Sequence, residues 1–389
     1  MDATMDATSD FDADLTNTEK ELIGTAQEFA NEQLLRIESV EISEHRALLQ
    51  AACRRGLAGI EVPARFGGSA ASFSTRMRVC EELARRHAGF AFSLVNHHNI
   101  IARIAQSGGP ILQSELLAPM LSGELIGCTA MTEPQSGSDF TSMQTHAART
   151  EGGWILNGEK AWITNASLAD VYLVYAQTDA KKGAEGVAGF VVLAGDLGFN
   201  RGKPYKASGI EGMGVGEFSL RDCTLPHERL LYPPGHGFRA AMRGVNQARV
   251  HVAAMNAAMV ERALFEALDH TGTRQAFGSP VIEFQGLAWS LANVATQLQA
   301  MRLLAYTAAR TINADKDAQT IAAMAKKYAN DHTLAALATC MQSMGAQGIT
   351  DEAGLGQLLA WAKAFCYTDG TPEMMNERIV RLLRKRRGQ

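Results

Sequence analysis

Five short segments hold the side chains best suited to chemistry. Ala130-Met131-Thr132-Glu133-Pro134-Gln135-Ser136-Gly137-Ser138-Asp139 gathers hydroxyls, small residues and backbone N–H groups into one turn. Such a turn can cradle a pyrophosphate through N–H donors without a cation, or it can be a Ser/Asp-capped loop between two elements. Lys160-Ala161-Trp162-Ile163-Thr164-Asn165 closes a strand-like run. A Trp there can stack on a flat ring whose heteroatoms a Thr hydroxyl bonds, or it can anchor a β core. Arg274-Gln275-Ala276-Phe277-Gly278 and Gln342-Ser343-Met344-Gly345-Ala346-Gln347-Gly348 each follow a long helical segment. Arginine and a glycine-rich helix end suit phosphate, yet both are common as a surface ion pair and a C-cap. Asp369-Gly370-Thr371-Pro372, taken alone, reads as a helix start with Asp369 as the cap and Pro372 at the first helical position.

These segments need elements to position them. From about Thr16 to Leu121 apolar residues recur at helical spacing, as in Leu22, Ala26 and Phe29, with breaks at Pro63 and Gly67-Gly68. Short runs such as Val171–Tyr175 and Gly189–Leu193, bounded by turn residues, make 126–232 a β region. After Pro233-Pro234-Gly235 the chain is Ala-rich and helical over Val245–His270, Glu283–Asn313 and Asp317–Met344, with a last helix after Pro372. The division expected is a disordered leader over 1–14, a helical domain over 15–125, a β domain over 126–232 and a helical bundle over 233–389. Clefts between such layers suit a flat cofactor.

Composition narrows the class. With 46% hydrophobic and 20% charged residues this is an ordinary globular chain. A net charge of −4 gives no reason to expect nucleic acid or a membrane as partner. The basic run Arg384-Lys385-Arg386-Arg387 reads as a solvated helix end. Six cysteines lie scattered, with neither a C-x-x-C pair nor metal-ligand spacing, so no metal is expected. An acidic, polar N-terminus without an apolar run points to the cytoplasm.

Taken together and in order, the segments resemble the acyl-CoA dehydrogenase family from Leu15 to about Leu383. The block A-M-T-E-P-x-x-G-S-D fits that family's first signature, and K-x-W-I-T-N, R-x-x-F-G, F-Q, Q-x-x-G-x-x-G and D-G-T-x-E follow in the family's order. The resemblance implies an α+β multidomain fold: a helical N-terminal domain, a central β-barrel-like domain and a C-terminal four-helix bundle. It implies FAD, with Thr129, Met131, Thr132 and Ser138 facing flavin and pyrophosphate and Trp162, Ile163 and Thr164 against the ring. Arg274, Phe277 and Gln285 would reach the FAD of a neighbouring subunit, Gln342, Gly345 and Gly348 would cover its adenosine half, and Thr371 and Glu373 would complete the flavin site. A homo-oligomer, a tetramer or dimer of dimers, follows from that sharing.

The same resemblance places Asp369 at the catalytic carboxylate. It would take the α proton of an acyl thioester, on CoA or an acyl carrier protein, while the β hydrogen leaves as hydride to flavin N5. An acceptor such as electron-transfer flavoprotein would take the electrons. Ser138, Asn246, Arg249 and Gly370 would contact substrate. Departures are Asn246 in D-x-x-R, Asp for Glu at 369, Glu211 for Arg in the β domain, and Ala346, Gln357, Ala360 and Trp361 in the second signature. The alternatives kept open are a flavin oxidase or monooxygenase on the same fold and a flavin-binding member without dehydrogenase activity. One of Asn96, His97, His98 and Asn99 is expected to line the acyl cavity, unless all four are bonded between helices.

Overall fold

The computed structural model describes residues 7–34, 42–207, 209–210 and 213–387. A helical layer comes first: α1 (Ala7–Asp12), α2 (Asn17–Gln33), α3 (Ile42–Arg54), α4 (Phe73–Ser107) and α5 (Pro110–Leu121). Thr16 and Glu19 cap α2 reciprocally. Glu19 also accepts from Ser72 N at 3.0 Å and Thr75 Oγ1 at 2.7 Å, which ties the start of α2 to that of α4. Part of the expected disordered leader is ordered: Phe11 is buried and stacks on Tyr306 with centroids 4.2 Å apart, and Asp12 pairs with Arg78 at 2.9 Å. An aromatic with a ready pocket and an acid beside a buried guanidinium outweigh the polar composition of the segment.

The β region follows as β1 (Gly127–Ala130), β2 (His146–Thr150), β3 (Gly153–Ile163), β4 (Val171–Gln177), β5 (Val187–Leu193), β6 (Phe199–Pro204), β7 (Gly216–Pro226) and β8 (Leu230–Tyr232). One sheet has the order β6-β7-β3-β2-β4-β5-β8, with β1 parallel to β4. Every residue of β4 is buried, so it reads as one apolar run without alternation.

The C-terminal helices are α6 (Gly237–Thr273), α7 (Gln285–Asn313), α8 (Gln319–Ser343), α9 (Leu355–Phe365) and α10 (Pro372–Arg386). Small alanines let α6 and α8 approach closely, and Asn256 bonds Asn330 across them at 3.1 Å. Besides the aromatic contact of Phe11 with Tyr306, the C-terminal helices meet the N-terminal layer through a charged cluster. Arg78 of α4 holds Glu81 and Glu82 at 2.8 Å each, Arg85 bonds Glu82 at 2.5 Å and Glu261 of α6 at 2.6 Å, and Arg302 of α7 joins Glu81 at 2.9 Å to Glu261 at 2.7 Å. Every carboxylate there has a guanidinium, which is the condition for burying such charges.

Candidate active site

The turn after β1 is held from beneath by a buried ion pair. Glu133 receives Lys160 Nζ at 2.8 Å, Thr145 N at 3.0 Å and Gln144 N at 2.6 Å, while Lys160 also donates to the Met131 carbonyl at 3.1 Å. Burial drives the Lys160 ammonium down to about 8 against the pull of Glu133. Burial acts on Glu133 in the opposite sense, and the charge and hydrogen bonds of Lys160 outweigh it, so its carboxyl lies below the usual range. With Glu133 and Lys160 occupied by each other, Ser138 and Gly137 are left exposed at the rim of the turn.

Ala161 N donates to the Thr132 carbonyl at 3.1 Å, so the end of β3 lies against this turn. There the backbone bends through left-handed conformations at Trp162 (φ 58°) and Asn165 (φ 66°). Asn165 is pinned inward by Ser93, through its carbonyl at 3.0 Å and its hydroxyl at 2.5 Å. Ile163 and Thr164 are buried, and Trp162 is 62% exposed with Tyr205 tilted against it at 4.4 Å. The exposed indole excludes its role as a β-core anchor. An indole on the surface beside a turn rich in N–H groups is an arrangement that fits FAD, the ring against Trp162 and the pyrophosphate on the turn.

Asp369 stands half-buried across the bundle in a left-handed turn (φ 52°). It does not cap α10. Thr371 does, its side chain accepting from Met374 N at 3.4 Å, with Pro372 at the first helical position. Freed from capping, Asp369 has its loop fixed by two cations on other helices: Arg249 Nε of α6 donates to the Asp369 carbonyl at 3.1 Å, and Lys326 Nζ of α8 donates to the Gly370 carbonyl at 2.7 Å. Gly370 has φ 99°, a conformation that suits glycine. Burial raises the Asp369 carboxyl above its ordinary range, against the charges of Lys326, Arg249 and Arg103. Burial lowers Lys326 to about 8 and Arg249 to about 10, each opposed by Asp369.

Arg249 also donates to Asn246 Oδ1 at 2.9 Å, so the N-x-x-R pair is closed on itself. Thr129, Met131 and Thr132 are half-buried beside the turn, and Glu373 is exposed in the first turn of α10. Arg274, Phe277, Gln285, Gln342 and Gly345 are exposed, Phe277 to 99%, while Gly348 is buried. Arg274 lies 25 residues beyond Arg249, about 37 Å along a helix axis at 1.5 Å per residue. One chain therefore does not bring Arg274 and Phe277 to Asp369. Among the described residues Arg274 forms no ion pair, so it is not a surface salt bridge.

Asn96, His97, His98 and Asn99 are all hydrogen-bonded, within the helical layer or, for His97, also to β1, and His98 lines a small cavity walled by Arg76 and apolar residues of that layer. Asn96 donates to Phe92 O, His97 spans Met120 O and Gly127 N, His98 spans Arg76 and Glu61 N, and Asn99 accepts from Arg76. Of the departures, Trp361 fills the core against Gly89, while Glu211 lies outside the described residues. Lys326 and Arg103 are the site residues the motifs missed. Each carried a signal: a cation on an apolar stripe, Lys326 among Ala322, Ala323, Ala325 and Ala329, and Arg103 among Ile100, Ile101 and Ile104.

Comparison with known proteins agrees with this geometry. The chain matches "Acyl-CoA dehydrogenase, N-terminal domain" over residues 16–124, the "middle domain" over 128–223 and the "C-terminal domain" over 235–383. It is 30% identical over 358 residues to a mitochondrial short/branched chain specific acyl-CoA dehydrogenase of Rattus norvegicus, covering 91% of this chain and 83% of that protein. Among solved structures, butyryl-CoA dehydrogenase from Megasphaera elsdenii superposes with a TM-score of 0.89 at 29% identity, over 95% of this chain and 99% of that one. PigA, solved with FAD and proline, gives 0.90 at 28%, over 96% and 99%.

Proposed function

Because the chain belongs to the acyl-CoA dehydrogenase family, we propose that it is an FAD-dependent oxidoreductase that forms the α,β double bond of an acyl thioester carried by CoA or by an acyl carrier protein. The observation that carries this reading is Asp369: a carboxylate freed from capping, raised in pKa by burial and held by two carbonyl anchors. A base of that kind lies nearer the pKa of the proton it must take than a solvated aspartate does.

FAD is the cofactor, and it supplies the acceptor for the hydride that leaves the β carbon. Thr129, Met131, Thr132 and Ser138 would line its flavin and pyrophosphate, Trp162, Ile163 and Thr164 its ring, and Thr371 and Glu373 the edge next to the base. Arg274, Phe277 and Gln285, with Gln342, Gly345 and Gly348, would serve the FAD of a neighbouring subunit, a reading supported for Arg274 and Phe277 by their separation from Asp369 in their own chain. The functional unit is then a homo-oligomer. Asp369 removes the α proton, and its own backbone N–H steadies the thioester oxygen as negative charge gathers there. Arg249 holds the loop from the Asp369 carbonyl, with Asn246 orienting the guanidinium; Gly370 and Ser138 bound the thioester path. The electron pair then passes to a separate acceptor such as electron-transfer flavoprotein, and we place the enzyme in the cytoplasm.

The test is anaerobic titration of yellow holoenzyme with a panel of acyl-CoA and acyl-carrier thioesters. Bleaching of the flavin by at least one of them is expected. Rapid reoxidation by oxygen after bleaching would make the protein an oxidase. Absence of bleaching by the whole panel would refute dehydrogenation.

A further inference from the structure

We propose that Arg103 is the docking point for an anionic end of the acyl group, so that the preferred substrates are thioesters whose acyl chain carries a carboxylate; this rests on the thioester reading above. Arg103 projects from α4 between buried isoleucines. Its Nη1 donates to the Thr129 hydroxyl at 3.0 Å, and its Nη2 lies over Gly244 of α6, where a Cβ would come within 1.8 Å. Its charge reaches Asp369. The guanidinium thus stands among β1, the helix that bears Asn246 and Arg249, and the base. It also lines a cavity of about 780 Å³ with Glu61, Phe73, Tyr232 and Gln247.

Among the described residues Arg103 lacks an acid, as does Arg249, which is taken instead by the Asp369 carbonyl and Asn246. Arg76 holds Glu61, Arg78 holds Glu81, Arg85 holds Glu82 and Arg302 holds Glu81, each within 3 Å, while Arg239 and Arg243 on the cavity wall face Glu185 at 3.8 Å and Asp315 at 3.6 Å. Of the acids on the wall of the same cavity, Glu61 is taken by Arg76 at 2.9 Å and Asp315 faces Arg243 at 3.6 Å. Among the described residues Arg103 forms no ion pair, and its hydrogen-bond partner is a neutral hydroxyl. A guanidinium cannot lose its proton to escape the cost of partial burial, so an anion that enters the cavity meets a charge still without a counter-ion. The planar fork matches a carboxylate in particular. The glycine at 244 gives it room, and alanine, the better helix former, would push it aside.

The experiment is isothermal titration of FAD-loaded protein with two unreactive thioesters on one carrier. Both have sulfur in place of the β methylene; one ends in methyl, the other in carboxylate. The carboxylate form should bind wild-type enzyme at least tenfold more tightly, on the scale of a charge-assisted bond. Arg103→Leu and Gly244→Ala should bring the ratio of affinities close to one, and Arg103→Lys should keep part of it. A phosphate of the carrier as the true partner would show as equal loss for both thioesters in Arg103→Leu, with the ratio unchanged, and would overturn the inference. Tighter binding of the methyl form by wild type would do the same. Binding of neither form would remove the thioester reading itself, and the inference with it.

Discussion

Replacing Lys326 by Met tests whether the base is tuned from behind. The substitution removes the ammonium that donates to the Gly370 carbonyl at 2.7 Å and that attracts the Asp369 carboxylate, while nearly keeping its volume in a fully buried position. Two losses follow. A hydrogen bond to a charged donor is worth about 1.5–3 kcal/mol, here as order in the 369–370 loop. The attraction lost is the largest of the three that favour the ionised base, so the ionised fraction of Asp369 at a fixed acid pH should fall. The sign is fixed by the burial that already raises Asp369: without Lys326 that rise is less opposed, so the acid limb of the rate profile moves to higher pH. The assay is the pH dependence of anaerobic stopped-flow flavin reduction, with FAD content and thermal unfolding as controls. Lys326→Arg should return most of the wild-type profile. An acid limb at the wild-type position in a folded, FAD-loaded Lys326→Met enzyme would refute the reasoning.

Asp369→Asn should keep FAD and bind thioester yet lose flavin reduction by at least about a hundredfold, the usual scale for a general base; near wild-type bleaching would remove Asp369 from the chemistry. Asp369→Glu should retain part of the rate with an altered acyl preference, read from the same thioester panel. Arg274→Ala should lower FAD occupancy and loosen the oligomer, measured by absorbance ratio and sedimentation, and normal values for both would contradict a shared cofactor. Glu133→Gln leaves buried Lys160 without its carboxylate and should cost about 3–5 kcal/mol in chemical denaturation; a loss under about 1 kcal/mol would mean the pair does not hold the turn.

Much of the architecture was legible because it is periodic. Helical spacing marked the outer layers, turn-bounded runs marked the sheet, and long alanine-rich stretches marked α6 to α8. What periodicity could not show was the partner of a polar side chain. Asp369 looked like the cap of α10 because the turn D-G-T-P offers two candidates, and only packing reveals that Thr371 takes the role. Trp162 had equal claims to core and surface until the left-handed bend at the end of β3 turned it outward. Lys326 meets Gly370 across 44 residues, and Arg103 meets Thr129 across 26 and Gly244 from another domain. His97 and His98, conspicuous in the sequence, prove to be internal ties, each bonded at both ring nitrogens to groups nearby in the fold.

The charged joint between α4 and the bundle bears on how the chain is made. Glu81 leaves the ribosome 221 residues before Arg302, a wait of roughly 10–45 s at about 5–20 residues per second. Over that interval the unfinished face of α4 exposes Glu81 and Glu82 beside Arg78 and Arg85, a wetted surface of balanced charge rather than an adhesive row of leucines. Nascent chains can therefore idle without clumping. The joint sets only when α7 emerges, so ribosome-arrested chains should gain protease resistance in α4 at that length and not before.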